Sequence, residues 1–251
     1  MNLALGLLVL SVISGVVYLL DVLIWSKKRR PKQQPNKLIE YSRSLFPLFF
    51  GVLLVRSFVF EPFRIPSGSL EPTLLVGDFL VVNKFAYGLR LPVWDKKILS
   101  TGSPKTGDIV VFRWPPNPKY DFIKRVIGVP GDVISYHHKV LSVNGKEARQ
   151  HFVQYTTDES SLNPVAEYRE NLKGTLHDIY RRSDIPATDF EITVPPNQYF
   201  VMGDNRDDSA DSRYWGFVHD DYLRGKAVFT WMSWDKKDWS IRWSRLGRII
   251  H

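Results

Sequence analysis

Residues 107–136 run GDIVVFRWPPNPKYDFIKRVIGVPGDVISY. Three short stretches rich in Val, Ile and Phe (Asp108–Arg113, Phe122–Val129 and Val133–Tyr136) are bounded by turn residues, the pattern of β-strands. The same pattern recurs at Phe79–Phe85, Phe200–Met202 and Ala227–Trp231. Gly-Asp pairs at Gly77-Asp78, Gly107-Asp108, Gly131-Asp132 and Gly203-Asp204 predict tight turns. Gly accepts a positive φ, and the Asp carboxylate bonds nearby backbone. Their irregular spacing excludes a solenoid. Residues 151–190 are polar and lack a strong period, so they read as an inserted subdomain. No long helix is predicted beyond residue 62, and residues 63–251 are expected to form a mainly β domain.

The amino-terminal part has a different character. Leu3–Leu20 holds 18 residues without a charge, the length at which a membrane-spanning helix is the default. A cleaved signal peptide needs basic residues ahead of its apolar run, and none precedes Lys27. Residues 26–44 instead hold seven Lys or Arg against Glu40. By the positive-inside rule this segment is expected to be a cytoplasmic loop, with the amino terminus outside. A second apolar run, Leu45–Val55, is interrupted by Arg56 and resumes to Phe60. With Arg56 snorkelling to the interface it can still span. The predicted order is a first span over residues 1–25, a loop over 26–44, a second span over 45–62, and an extracytoplasmic domain thereafter.

Composition narrows the chemistry. The chain has 251 residues and no Cys, which excludes disulfides, thiolate metal sites and Cys nucleophiles. Its six His form no metal-spaced pair and HExxH is absent, so no metal site is expected. The net charge of +8 is concentrated in residues 26–44, whereas a nucleic-acid binder would spread it over a folded face.

Three segments carry candidate chemistry. In Ile65-Pro66-Ser67-Gly68-Ser69-Leu70-Glu71-Pro72, two serines flank a glycine between prolines. Such a loop is either a plain surface connection or one that exposes a nucleophilic Ser beside N–H donors. In Phe122-Ile123-Lys124-Arg125-Val126, alternation puts Phe122, Lys124 and Val126 on one strand face. Lys124 is then either an edge charge that discourages aggregation or a desolvated amine able to act as a base near neutral pH. Residues 203–213 hold five Asp or Asn, two Arg and two Ser. The two Arg argue against a calcium loop, and a rigid polar network supporting a site fits better.

Together these segments closely resemble the boxes of bacterial type I signal peptidase, also called leader peptidase. The likeness extends from the hairpin anchor through the Ser-Gly-Ser loop and the Lys-Arg strand to Gly203-Asp204-Asn205-Arg206-Asp207 and Ser212-Arg213-Tyr214-Trp215-Gly216. The resemblance implies a Ser–Lys serine endopeptidase that removes signal peptides from exported preproteins and needs no cofactor. It would work in the inner (cytoplasmic) membrane with its catalytic domain on the periplasmic side, without an obligate protein partner. It implies Ser69 as nucleophile, Lys124 as general base, and the Ser69 N–H with the Ser67 hydroxyl as oxyanion hole. Ser209 would orient Lys124, and Asp211 and Arg213 would brace the loop, with Arg125 and Asp204 in support. No His is placed to complete a triad, so a lysine base is the available variant.

The sequence departs from the family pattern at Leu70 and Glu71, where Met is common. It departs again at Asp208, which replaces a usual Asn and is expected to point away from Lys124. Asn197 stands where Gly is frequent, and Asn tolerates the left-handed conformation. Two other readings exist. Ser233–Lys236 fits SxxK and Lys105–Gly107 fits KTG, but in the reverse of the penicillin-binding order and without SDN. A non-catalytic β-domain that scaffolds envelope proteins would more readily have lost Ser69 or Lys124. Finally, four of the eight Trp (Trp231, Trp234, Trp239 and Trp243) lie in the last 21 residues among Lys and Arg. Trp231, inside a predicted strand, is expected in the core. Trp239 and Trp243 are candidates for seating the domain on membrane lipid.

Overall fold

The computed structural model describes residues 3–29, 34–91 and 97–250. Two compact units are present, Met1–Glu61 with Leu89–Leu99, and Pro62–Gly88 with Ser100–His251.

In the first unit the charge-free run is a helix, Leu3–Leu20. It continues through a wider turn, Asp21–Trp25, to Lys28. A second helix covers Lys37–Leu54 and continues through Val55–Val59. It therefore begins eight residues before the predicted Leu45, and residues 37–44 are helix and not loop. The cause is local. Asn36 caps the helix by accepting from the Leu38 N–H, and Glu40 sits in the first turn, where the helix dipole favours it. Arg29 and Arg43 also have a partner, since both bind the fully buried Asp21 carboxylate. The helices meet where Gly15 lies against the Phe46 ring, closer than a side chain would allow. Leu10, Ile13, Leu19 and Leu23 stay exposed, and both helices are long and apolar enough to cross a membrane.

The second unit is β. Its main sheet runs in the order Phe60–Arg64, Asp78–Asn83, Leu223–Asp235, Ile109–Arg113, Asp121–Gly128, Gln198–Met202, Val218–His219. Pairings from Asp78–Asn83 onward are antiparallel. A second sheet holds Phe190–Thr193, Val133–His137, Val140–Val143 and Lys146–Glu147. The polar stretch around 151–190 folds largely as a three-stranded antiparallel sheet, Arg149–Thr157, Pro164–Leu172 and Thr175–Arg181. Its strands were hard to read because few of its positions are apolar and buried, and one fully buried position is Glu170.

The Gly-Asp pairs show how the turns are made. Gly77, Gly107 and Gly131 all have positive φ. The following carboxylate in each case accepts from the N–H three residues back: Asp78 from Leu75, Asp108 from Lys105, Asp132 from Val129. Gly203 differs. Its φ is not positive, and it is required by close approach, because a Cβ there would sit 2.3 Å from the Ser69 carbonyl oxygen and from Ser209 Oγ. Asn197 takes the left-handed conformation, φ 58°.

Ile65, Leu70, Leu74, Leu80, Ile109 and Ile123 share one buried core. Each fully buried aliphatic side chain contributes about 1.5–3 kcal/mol. Leu70 and Leu74 thereby anchor the loop that carries Ser69. Trp231 is a correction: it is 42% exposed, edge-on to Phe79, while its neighbour Thr230 faces the interior. Trp239 and Trp243 are exposed.

The carboxyl-terminal segment is tied down by Arg245, whose guanidinium bonds the buried Asp78 carboxylate and the Thr73 carbonyl. Removing one member of a buried ion pair costs about 3–5 kcal/mol. Arg245→Met is expected to lower unfolding free energy by about that amount in urea titrations, and Asp78→Asn added to it should cost little more.

Candidate active site

Ser69 sits in a run of turns between buried Ile65 and Leu74. The loop closes through Glu71 N–H donating to the Gly68 carbonyl at 3.0 Å and Leu74 N–H to the Leu70 carbonyl at 2.9 Å. Lys124 comes from the strand Asp121–Gly128, where it pairs with Val110. Both side chains are buried, and Lys124 Nζ is hydrogen-bonded to Ser69 Oγ at 2.5 Å. The Phe122 ring lies 5.5 Å from the amine, in keeping with the predicted alternation.

The electrostatics of Lys124 follow from this placement. Burial strips water from the ammonium and lowers its pKa from the usual 10.5 to about 8. The charges of Asp211 and Asp204 oppose that shift, and Arg213 adds to it. The amine is therefore available in its neutral form close to physiological pH. Asp208, whose carboxylate could have stabilised the ammonium, is exposed, as expected.

Three segments converge on Asp204. Arg125, next to the lysine, donates from Nε and Nη2 to both carboxylate oxygens at 2.8 Å, and from Nη1 to the Gly107 carbonyl. Thr73, four residues after the serine, donates to the same carboxylate at 2.5 Å. Burial tends to raise the Asp204 pKa, but the Arg125 charge and hydrogen bonds prevail and hold it below the ordinary value. Asp211 accepts from the Gly203 N–H and from Arg213 Nε and Nη2, so the loop closes on its own start. Arg213 also donates to the Arg206 carbonyl.

One expected contact is not made. The Ser209 hydroxyl is buried against Gly203 and makes no hydrogen bond, so it does not bond Lys124. Ser67 is exposed, and among the described residues neither its hydroxyl nor the Ser69 N–H has a protein hydrogen-bond partner. Both donors are thus open to an incoming group. The SxxK match does not form a site: Ser233 is buried in the strand Leu223–Asp235, while Lys236 is exposed.

Sequence reasoning missed several residues. Asn205 lay inside a quoted motif without a role. Its N–H donates to the Ser69 carbonyl at 3.2 Å and its side chain to the Gly68 carbonyl at 3.3 Å. Arg206 and Glu170 form a fully buried ion pair, with His177 Nε2 3.2 Å from the same carboxylate. Burial works against ionising Glu170, yet the Arg206 charge keeps its pKa far below normal. Glu71 and Asp158 also belong to this network. The only sequence-level signal for them was the departure at Glu71.

A buried serine hydroxyl held against a desolvated lysine, with free N–H and hydroxyl donors alongside, is the equipment of a serine hydrolase with a lysine base. Comparison with known proteins agrees. The family described as signal peptidase, peptidase S26, matches residues 38–234. The chain is 40% identical over 283 residues to a signal peptidase I of Pseudomonas fluorescens, covering 99% of each. It is 40% identical over 285 residues to that of Pseudomonas aeruginosa, covering 100% of this chain and 99% of the relative. A crystal structure of a signal peptidase I from Enterococcus faecalis is 29% identical, covering 49% of this chain and 96% of that one, with a TM-score of 0.34. The chain belongs to the peptidase S26 family of signal peptidases.

The Lys124 environment makes a direct prediction. The Lys124 ε-methylene resonance should titrate with a midpoint of about 8, and not at the usual 10.5. Followed by NMR in Ser69→Ala to prevent turnover, a midpoint at the ordinary value would show that the amine is hydrated.

Proposed function

We propose that this chain is a membrane-anchored endopeptidase that removes signal peptides from exported preproteins, with Ser69 as nucleophile and Lys124 as general base. The observation that carries the proposal is the buried 2.5 Å contact between Lys124 Nζ and Ser69 Oγ. Neutral Lys124 accepts the hydroxyl proton as Ser69 Oγ attacks the scissile carbonyl. The oxyanion is received by the Ser69 N–H and the Ser67 hydroxyl. Lys124 then passes the proton to the leaving amine, and the acyl-enzyme forms. A water deprotonated by Lys124 attacks the ester, and the signal peptide departs with a free carboxylate. Arg125, Asp204, Asp211 and Arg213 hold the three segments in register, and Ser209 packs behind them. The chemistry draws on these side chains alone and requires no cofactor.

Residues 63–251 act as the catalytic domain, with 151–190 as an insertion within it. The excess of Lys and Arg in 26–44 supports a cytoplasmic position for the segment between the two spans, with everything after residue 62 on the periplasmic face of the inner membrane. Ser69 follows Phe60 by nine residues, so an extended link reaches at most ~30 Å from the bilayer. A membrane-inserted preprotein presents its cleavage site at that height, and it binds as an added strand. The proposal includes no obligate protein partner and no nucleic acid.

Ser69→Ala and Lys124→Ala should each abolish cleavage of a preprotein in detergent while circular dichroism stays unchanged. Ser67→Ala should retain activity reduced by roughly 10²–10³, since one of two oxyanion donors is lost. The wild-type rate should climb as pH rises towards about 8, because only the deprotonated lysine accepts the hydroxyl proton. Wild-type cleavage by Lys124→Ala would refute the assignment.

Membrane lipid is the second proposed partner. Trp239 and Trp243 are 79% and 73% exposed, with Lys236, Lys237 and Arg248 near them in sequence. A chain lacking residues 1–62 is expected to bind anionic vesicles more strongly than neutral ones, and the Trp239→Ala/Trp243→Ala pair should weaken that binding, as read by vesicle sedimentation.

A further inference from the structure

Two residues past the nucleophile stands Glu71, fully buried. Its Oε2 accepts from the backbone N–H groups of Glu159 at 3.1 Å and Ser160 at 3.4 Å. Its Oε1 is buried with no donor to accept from. The carboxyl lies beside that of Asp158, in the connection between the strands Arg149–Thr157 and Pro164–Leu172, since both accept from the one Ser160 N–H. Asp158 is far better supplied. Its Oδ1 accepts from the Ser160 N–H at 2.7 Å, Ser160 Oγ at 2.8 Å and the Ser161 N–H at 3.0 Å, and its Oδ2 from Asn205 Nδ2.

Two carboxyls in contact cannot both be ionised without a large penalty. Asp158 has four donors against two for Glu71, which leaves the shared proton to Glu71. On Oε1 it turns an acceptor without a partner into a donor. Titration behaviour agrees. Burial, then Asp158, push the Glu71 pKa up to about 8. Burial would also raise Asp158, but the bonds from Glu71 and the turn hold it down to about 2.

This pair sits against the nucleophile loop. A Cβ on Gly68 would lie 2.6 Å from Ser160 Cβ, so the 158–161 turn presses directly on the residue before Ser69. Asn205 joins the two sides. Its side chain bonds both Asp158 and the Gly68 carbonyl, and its N–H bonds the Ser69 carbonyl.

We propose that Glu71 is a positioning residue for the nucleophile: as a neutral acid donating to Asp158, it clamps the 158–161 turn onto Gly68 and holds Ser69 against Lys124. The proposal rests on the assignment of Ser69 and Lys124 made above. Ionising Glu71 sets two carboxylates face to face and releases the clamp. Other charged groups face this point. Glu159 lies in the turn, and Tyr180 in the neighbouring strand feels the Glu71 charge. Asp235, Lys236, Lys237 and Arg242 line the same cavity of about 290 Å³. Arg242 is engaged by Glu159 and Asp235, Lys237 by the Glu159 carbonyl, and Lys236 is exposed. Both groups titrate at about 8, but Glu71 is not among the charges that perturb Lys124, so replacing Glu71 leaves the Lys124 limb in place.

The test is the pH–rate profile of the full chain on a preprotein in detergent micelles, with Glu71→Gln and Glu71→Met. The wild type should rise through the Lys124 titration and then fall by about tenfold or more as Glu71 ionises. Glu71→Gln, which donates to Asp158 at every pH, should keep the rising limb and lose the fall. Glu71→Met, with no donor, should lower kcat by about ten- to a hundredfold at all pH values with KM little changed. A falling limb that persists in Glu71→Gln overturns the proposal, as does a Glu71→Met enzyme with wild-type kcat. Infrared difference spectra supply a readout that does not depend on activity. A protonated-carboxyl band should be present at neutral pH in the wild type and missing in Glu71→Gln, and its absence from the wild type overturns the proposal. Failure of the Ser69–Lys124 assignment shows separately, as cleavage by Ser69→Ala or Lys124→Ala.

Discussion

The ion pair between Arg125 and Asp204 is the contact on which the active site hangs. It is bidentate and buried, and it joins segments far apart in sequence. Arg125 brings the strand that carries Lys124, Thr73 brings the loop that carries Ser69, and Asp204 heads the acidic loop. A pair this deep is not retained for stability alone, because desolvating both charges cancels much of their attraction. What it provides is geometry. Any displacement leaves one charge stranded in a dry interior, so the three segments have essentially one arrangement. The dyad inherits its short contact from that constraint.

A lysine base needs a dry setting, and a dry setting penalises every other charge nearby. The structure meets this by pairing them off. Arg206 faces Glu170, Arg213 faces Asp211, and Arg125 faces Asp204. Lys124 is left against a neutral hydroxyl and an aromatic ring. Burial loosens its proton, and the paired carboxylates of Asp211 and Asp204 offset that only in part. Loops are ordinarily the mobile part of a fold. Here the loop carrying Ser69 is fixed on three sides, by Leu70 and Leu74 in the core, by Asn205 on its carbonyls, and by the 158–161 turn at Gly68.

Much of this was legible in the residues. Charge-free length marked the helices, alternation of Val, Ile and Phe marked the strands, and three of the four Gly-Asp pairs marked turns whose carboxylates cap the chain. The Ser-Gly-Ser, Lys-Arg and Gly-Asp-Asn-Arg-Asp segments pointed to Ser69, Lys124 and their supports. Less was legible where polar residues are buried. The three-stranded sheet carries Glu170 and His177 inward, against the rule that burial is apolar. Trp231 faces outward from a strand because a β-bulge at residues 227–229 shifts the alternation and turns Thr230 inward in its place. The basic segment was read as loop because its arginines look solvated until Asp21 is found between them.

The sequence by itself determined the class of elements, the kind of chemistry and the residues able to perform it, since periodicity and side-chain type are local properties. The tertiary structure alone decided which protons are where. Lys124 is an ordinary surface amine or a base near neutral pH according to how much water reaches it, and that depends on neighbours up to 87 positions away, such as Asp211. Glu71 is a carboxylate or a neutral acid according to whether it is buried beside Asp158. Desolvation and Coulomb energy depend on distance through space, which no spacing along the chain encodes.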